Sequence, residues 1–366
     1  MIQAEHFMEL ALAEARRGLG GTGPNPLVGA VIHRDGLVLA TGYHARVGGP
    51  HAEVDALSKL SPEGARGATL VVTLEPCSHH GRTPPCAEAI IKAGLARVVV
   101  GMLDPNPLVA GKGVALLRQA GVEVQEPCLP EACAALNEPY LKYITTGRPW
   151  VTLKLASSLD GKLATGCGDS RWVSGEDAAL TVHRLRAQAD AVLVGSGTLL
   201  QDNPSLDCRL VPHRKKLLRA ALDTRLALPL THRLANPGDG GPVVLFHGPG
   251  TDLEKRGALE AKGVACVETP LAAGHLNLES VLAELGRREV SRLLVEGGGG
   301  LAAGLLGASL VDEIYWFVAP KLVGSEGICS VGSLRLERMS QALQLEFRSV
   351  ERQGVDLLII ARPLRA

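Results

Sequence analysis

Four residues near the start of the chain have the types and spacing of hydrolytic metal chemistry. They are His51 and Glu53 in GGPHAEVDAL (residues 48–57), and Cys77 and Cys86 in LEPCSHHGRTPPC (residues 74–86). A catalytic zinc site takes three protein ligands and keeps a fourth position for water, and one imidazole with two thiolates makes such a set. His51 precedes a predicted helix and Cys86 opens another. The partial positive charge at a helix start favours thiolate over thiol. Glu53 lies two residues from His51, so it can reach the water without binding the metal. Zinc brings the pKa of water toward ~7, and a carboxylate beside it can relay protons to a departing amine. His-x-Glu followed by Pro-Cys and a second Cys is the pattern of the zinc deaminases. Taken singly, His-Ala-Glu is usually a surface helix and Pro-Cys a buried thiol in a turn. Their order, after a strand and before a helix, is what points to zinc.

The usual spacing puts two residues between the cysteines. Here SHHGRTPP puts eight there, including His79, His80 and Arg82. With three ligands already in hand, this basic loop suits an anion such as a substrate phosphate; a solvated polar loop is the plainer alternative. Cys128 and Cys133 have no His nearby and read as small core or interface residues, as do the remaining cysteines.

The second half offers glycine-rich turns. VLVGSGTLLQDNP (192–204) runs from a strand into Gly195-Ser-Gly197-Thr198, and LLVEGGGGLAAGLL (293–306) runs from a strand into four glycines and a helix. Such turns bring backbone N–H groups close to phosphate. One would be an ordinary tight turn; two in one domain point to a phosphorylated ligand or dinucleotide, although no G-x-G-x-x-G follows a strand here. Lys154 falls in a predicted strand, where a charge needs a partner, and Glu296 at another strand end could supply it. Arg186 and Arg209 could clamp a phosphate, though each alone is more often a surface charge.

These residues must be held by an alternating series of elements. Helices are predicted over 5–17, 52–60, 86–94 and 114–120. Strands are predicted over 27–33, 37–43, 68–74, 97–102 and 122–125. A helical stretch follows EPCLPEAC, and TTGRPW marks a boundary near residue 147. A second series has strands over 151–156, 191–195, 218–223, 242–246, 292–296, 313–318, 343–350 and 355–361, with helices over 176–188, 278–287 and 299–306. Both halves read as layered α/β structure.

Bulk properties agree. A chain of 366 residues has two domains as its prior. With only 3% aromatic residues, the cores must be aliphatic. The 38 basic and 38 acidic residues cancel. No basic stripe advertises nucleic acid and no basic amphipathic helix a membrane. The first residues lack a signal-peptide pattern, and no run approaches the ~20 apolar residues of a membrane span, so a cytoplasmic address is expected. Eight thinly spread cysteines read as thiols or metal ligands, not a disulfide framework.

The motifs carry a specific likeness. PNPLVGAVI, GYHARVGGPHAE, EPCSHHGRTPPC and DPNPLVAGKG resemble the deaminase half of the RibD family of bifunctional riboflavin-biosynthesis proteins, in which a long inter-cysteine loop is typical. KLASSLDGKLATGCGDSRWVS, LRAQADAVLVGSGTLLQDNPSL, LLVEGGG and GVDLLIIARP resemble its reductase half. The resemblance spans nearly the whole chain. It implies a cytidine-deaminase-like three-layer α/β domain over 1–147 and a dihydrofolate-reductase-like domain over 148–366. It implies that His51, Cys77 and Cys86 hold zinc, that Glu53 moves protons, and that Asn25, His44, His79 and Arg82 meet the pyrimidine or its ribose phosphate. NADPH would be lined by Ala156, Trp172, Thr198, Asp202, Thr224, Gly298, Gly299, Gly300, Leu301, Ala302, Ala303 and Gly304. The second substrate would meet Ser170, Arg186, Leu206, Arg209 and Glu296, with Lys154 near its reacting end. Thr224 is the least anchored of these, because residues 210–290 are poorly patterned.

The implied work is deamination of a diaminopyrimidinone ribosyl phosphate, then NADPH reduction of its ribosyl group to ribityl. The expected partners are phosphorylated pyrimidines and further copies of the chain, as a dimer or tetramer, without nucleic acid or membrane. Two readings compete. A tRNA or free-nucleoside deaminase would be expected to show a basic surface, against the zero net charge. A zinc-stabilised binding module would be closed by four ligands and would have no use for Glu53.

Overall fold

The computed structural model describes residues 2–78, 85–169 and 175–364. The chain falls into two compact units that divide between Gly147 and Arg148.

The first unit contains α1 (Ile2–Arg16), β1 (Gly29–Arg34), β2 (Leu37–Tyr43), α2 (Ala52–Leu57), α3 (Pro62–Ala65), β3 (Thr69–Leu74), α4 (Cys86–Ala93), β4 (Arg97–Met102), α5 (Lys112–Gln119), β5 (Glu123–Gln125) and α6 (Pro130–Thr146). The sheet runs β2-β1-β3-β4-β5. β1 is antiparallel to both neighbours, and β3, β4 and β5 are parallel. Successive strand side chains point to opposite faces. Val31, Val71 and Val99 therefore pack with Phe7, Met8 and Leu12 of α1, in a cluster that also takes in Cys128 and Cys133. Ile32, Leu70, Val72, Val98 and Val100 turn the other way, onto Ala52 and Ala56 of α2, Ala87 and Ile90 of α4, and Leu117 of α5. This gives three layers. One close approach fixes the site: a Cβ on Gly42 of β2 would lie 2.3 Å from the Ala52 carbonyl oxygen. Glycine there lets the first turn of α2, and His51 ahead of it, sit against the sheet.

The second unit contains β6 (Trp150–Ser158), β7 (Lys162–Ala164), α7 (Glu176–Gln188), β8 (Ala191–Val194), α8 (Ser196–Gln201), β9 (Leu218–Leu222), β10 (Val243–His247), α9 (Leu253–Ala261), β11 (Val264–Glu268), β12 (Leu271–Ala272), β13 (His275–Leu276), α10 (Leu278–Arg287), β14 (Arg292–Val295), α11 (Gly299–Gly307), β15 (Glu313–Ala319), β16 (Ile328–Cys329), β17 (Leu345–Gln353) and β18 (Asp356–Pro363). Its main sheet runs β11-β10-β9-β8-β14-β6-β15-β18-β17. It is parallel from β11 to β15, with β18 and β17 antiparallel. Leu153, Leu193, Leu222, Phe246 and Leu293 pack under α10 and α11, and Val192, Val194, Ala221, Leu245 and Leu294 face the opposite cluster. Strands buried on both faces read as unbroken apolar runs, and all four residues of β8 are buried. The carboxyl ends of β8, β9 and β14 share one edge, where ligands bind in open parallel sheets.

The sequence reading misses α8, α9 and β11, and with them the short elements α3, β7, β12, β13 and β16. Leu259 is the one buried residue of α9, so the helix has almost no apolar stripe to detect. β11 is the sheet's outer strand and only its first residue is buried.

Candidate active sites

In the first unit, His51 is the residue before α2, in extended backbone, and its side chain makes no capping bond, so its ring is free to point elsewhere. Cys86 is the first residue of α4, and Cys77 lies in the turn after β3. Their three ligand atoms lie within 4.8 Å of one another. His51 Nδ1 is 3.2 Å from Cys86 Sγ and 3.5 Å from Cys77 Sγ. Tetrahedral zinc, with ordinary Zn–S and Zn–N bonds, spaces such atoms about 3.6 Å apart. The protonation chemistry fits a cation as well. The Cys86 group and the His51 ring hold Cys77 as a thiolate, down to about 4. The hydrogen bond with Cys77, then burial, pushes the Cys86 thiol far up. Two sulfurs this close cannot both carry charge in a dry site unless a cation lies between them.

Glu53, in the first turn of α2, is only 3% exposed. Burial, reinforced by the charge of Cys77, pushes its carboxyl up to about 7. That places it where a carboxyl both gives and takes protons at neutral pH. His44 is buried, and its Nδ1 lies 3.0 Å from the Pro50 carbonyl oxygen while Nε2 lies 3.2 Å from Asn25 Nδ2. Burial, first, and the neighbouring His51 lower its pKa against the opposing Pro50 bond. The network assigns a neutral ring that donates from Nδ1 and accepts from Asn25 at Nε2. The His44 and His51 rings meet edge to face at 5.3 Å, so Asn25 and His44 stand beside the ligand cluster. His79 and Arg82 lie outside the described residues.

Sequence reasoning missed Glu75, the residue after β3. Its buried carboxylate accepts from four backbone N–H groups: Asp104, Gly111, Gly113 and Val114, at 3.3, 2.9, 2.9 and 3.2 Å. It thereby ties the DPNPLVAGKG segment to the strand end two residues before Cys77. The available signal was an acid closing an otherwise apolar strand.

In the second unit, two cavities open at the strand ends. The smaller, about 470 Å³, is walled by Lys154, Ala156, Arg186, Thr198, Asp202, Leu206, Glu296 and Gly298, together with Leu163, Gly175, Glu176, Ala179, Val194, Pro204 and Gly297. The larger, about 740 Å³, takes in Gly195 to Thr198, Thr224, Gly298, Gly300, Leu301 and Gly304, with Leu222, Leu276, Leu278 and Leu310 among its apolar lining. Thr198 and Gly298 border both. The fit to a dinucleotide rests on the glycines. Gly298 has φ −73° and ψ 173°, a conformation open to any residue, and a Cβ on Gly298 or Gly300 would meet nothing within 4 Å. Neither packing nor backbone strain demands glycine there; the space in front of them suits a phosphate approaching the N-terminus of α11.

Only part of the expected 298–304 run faces a cavity. Gly298, Gly300, Leu301 and Gly304 do, whereas Ala302 and Ala303 are buried and a Cβ on Gly299 would strike the Cys329 carbonyl oxygen at 2.4 Å. Helical periodicity turns the second set inward. Glu296 meets the charge of Lys154 but takes its side-chain hydrogen bonds from another residue. It takes a two-pronged ion pair from Arg186, at 2.6 and 2.8 Å, with both side chains 12% exposed. Arg186 also donates to the Asp207 carbonyl oxygen, so its guanidinium is engaged on two sides within the chain. Burial opposes charge on Glu296, but Arg186 and then Lys154 outweigh it and hold the carboxyl below its usual value. Burial, helped by Arg186, lowers the pKa of Lys154, while Glu296 opposes the shift. Arg209 lines neither of the two cavities; it is exposed and donates to Asp207 Oδ1. Ser170 and Trp172 lie outside the described residues.

The two constellations define a class: a metal-site deaminase fold joined to a reductase fold with a dinucleotide cavity. Known proteins bear this out. Residues 1–102 match the cytidine and deoxycytidylate deaminase zinc-binding region, and residues 149–359 match the RibD C-terminal domain. The riboflavin biosynthesis protein RibD of Aquifex aeolicus is 43% identical over 97% of both chains, and that of Escherichia coli is 40% identical over 98% of this chain and 99% of its own. Among solved structures, Acinetobacter baumannii RibD superposes with a TM-score of 0.90 at 38% identity over 99% of both chains. A Thermotoga maritima protein described as a diaminohydroxyphosphoribosylaminopyrimidine deaminase/5-amino-6-(5-phosphoribosylamino)uracil reductase gives 0.86 at 38% identity, again over 99% of both. The chain belongs to the RibD family of bifunctional deaminase–reductases of riboflavin biosynthesis, with zinc and NADPH as its cofactors.

Proposed function

We propose that residues 1–147 deaminate 2,5-diamino-6-(5-phosphoribosylamino)pyrimidin-4-one to the corresponding uracil, and that residues 148–366 reduce the ribosyl group of that uracil to ribityl. In this reading His51, Cys77 and Cys86 hold zinc, which when bound acidifies water. Glu53 takes the proton from the attacking water at its carboxylate and returns it to the amino group that leaves as ammonia. Asn25 and His44, locked to one another, orient the pyrimidine, and His79 and Arg82 meet the ribose phosphate. The observation that carries this half is the buried Glu53 carboxyl beside a cluster of three ligand atoms.

In the second half NADPH supplies the hydride when bound. Ala156, Trp172, Thr198, Asp202 and Thr224 hold the cofactor together with Gly298, Gly300, Leu301 and Gly304, the members of the 298–304 run that face a cavity. Ser170, Arg186, Leu206 and Glu296 hold the substrate, Arg186 and Glu296 acting as a fixed pair. Lys154 stands beside the reacting carbon, its charge balanced by Glu296. Support for this half comes from two cavities that share Thr198 and Gly298 in their walls, as adjoining cofactor and substrate sites would.

We further infer a homo-oligomer, dimer or tetramer, at work in the cytoplasm. The outer strand β17 exposes Phe347 and Val350 by 66% and 55%, a face suited to a second copy. No helix among the described residues is long and apolar enough to cross a membrane. Incubating the protein with the diaminopyrimidinone ribosyl phosphate, followed by mass spectrometry, tests the whole. Ammonia and the uracil are expected without NADPH, and a product two hydrogens heavier with it. An unchanged substrate under both conditions refutes the reading.

A further inference from the structure

The larger cavity has a polar end that the glycine turns leave unexplained. After β9 the chain presents Asp223, Thr224 and Arg225 in succession. Where a reductase takes the unphosphorylated dinucleotide, a carboxylate near such a strand end accepts from the adenosine ribose hydroxyls, whereas an arginine there accommodates a 2′-phosphate. Asp223 is unfit for the first role. It is 1% exposed, Oδ1 accepts from the Ala227 N–H at 2.8 Å, and Oδ2 accepts from the Leu228 N–H at 2.7 Å.

The neighbouring groups suit the second role. Thr224 lines the cavity. Arg225, the next residue in the turn, is exposed, and its guanidinium has no hydrogen bond or ion pair among the described residues. His275, on the hairpin that forms another part of the wall, is also exposed, with its ring unbonded among the described residues. The acid on this wall, Glu279, pairs with Arg148 at 3.6 Å. The side chains left to meet a ligand at this end are therefore cationic or neutral donors.

Resting on the NADPH reading above, we propose that Arg225, next to Thr224 in the turn, and His275 of the cavity wall recognise the 2′-phosphate of the adenosine ribose and so select NADPH over NADH. The unpaired guanidinium offers planar, multi-donor recognition of phosphate oxygens, and the buried Asp223 presents no free carboxylate to oppose it.

Calorimetric binding to the full-length protein tests this without turnover. The probes are adenosine 2′,5′-bisphosphate against 5′-ADP, and NADPH against NADH. The parent is expected to prefer each 2′-phosphorylated probe by about tenfold or more. Arg225→Ala should weaken those probes about 10- to 100-fold, the range for losing charge-assisted hydrogen bonds, while leaving 5′-ADP and NADH within about twofold. Arg225→Lys should recover part of the loss, because a point charge remains without the fork. His275→Ala should give a smaller loss of the same selectivity. Equal weakening of both members of each pair would make Arg225 a structural residue of the turn and overturn the proposal, as would no weakening of either. A parent that binds NADPH and NADH equally refutes this inference alone; one that binds neither refutes the cofactor reading too.

Discussion

His51, Cys77 and Cys86 gather their ligand atoms within 4.8 Å of one another, whereas the second unit spreads its site over cavities of about 470 and 740 Å³ walled in large part by glycine turns and apolar side chains. The first arrangement depends on a few side chains whose chemistry no other residue type supplies. The second depends on where the backbone lies, with the Arg186–Glu296 pair as a tightly bonded charged element among the described residues. Single substitutions should therefore abolish function in the first unit and grade it in the second. Because the sites share no residues, effects in one should leave the other alone.

Removing a ligand tests this most severely. In Cys77→Ser or Cys86→Ser a hydroxyl replaces a thiolate, and two protein ligands do not hold zinc. Metal analysis should fall from about one zinc per chain to near zero, and ammonia release should cease. NADPH oxidation on the already deaminated substrate should stay near the parent rate. Full zinc in both variants would break the ligand assignment, and a collapsed reductase rate would break the independence of the sites. Glu53→Gln is the next step down. It keeps the metal and removes the proton carrier, so deamination should drop by ~10²-fold or more with zinc content unchanged. Loss of zinc in that variant would make Glu53 a ligand, not a proton carrier.

The same contrast explains what the sequence made legible. The His-x-Glu and Pro-Cys motifs announce themselves because the chemistry demands those residue types, and His51 and Cys86 each sit where a helix begins, a position with its own local signals. Strands such as Ala191–Val194 were legible because burial on both faces makes them uniformly apolar. The reductase site was legible only at its glycine turns. Its side chains come from β6, α7 and the residue that follows β14, and sequence spacing does not say that Arg186 reaches Glu296, 110 positions away. Glu75 escaped notice for a related reason: its partners are backbone N–H groups of a segment far along the chain, and backbone groups leave no trace in residue identity. Helix α9 was missed because it buries so little.

The charged centre of the reductase gives an intermediate effect. Glu296→Gln keeps the shape but removes the charge facing both Arg186 and Lys154. Breaking a buried pair by removing one partner costs about 3 kcal/mol when fully enclosed; with both side chains 12% exposed, about 2 kcal/mol is expected from denaturant unfolding. NADPH oxidation should fall about 10- to 100-fold, since a hydrogen-bonded charge is lost. The Lys154 pKa should fall further, because the group that opposes its lowering has gone. The pH–rate profile of NADPH oxidation should then shift to lower pH. An unshifted profile with the same loss of rate would reduce Glu296 to a prop for Arg186. Ammonia release should be unaffected.

The smallest expected effect lies just beyond β6, the strand that carries Lys154 and Ala156. Asp160 accepts from Ser158 Oγ at 2.6 Å and from the N–H groups of Val323 and Gly324, the latter at 2.7 Å. It thus pins the 321–324 segment to the strand end. The Ser158 hydroxyl, and after it the Gly324 N–H, hold its carboxyl down at about 2, below the usual 3.8. A folded value below the unfolded one means that the folded state binds its proton less readily. The stabilising contribution is therefore fully present above about 3.8 and is lost as pH falls from there to about 2. The carboxylate is exposed to solvent, so screening keeps the contribution small. Asp160→Asn should lower Tm slightly near pH 5, and the difference from the parent should close as the pH falls toward about 2. The variant should release ammonia at the parent rate, because Asp160 belongs to the second unit. A Tm gap that stays constant through that window would show that the side chain acts by its shape and not by its charge.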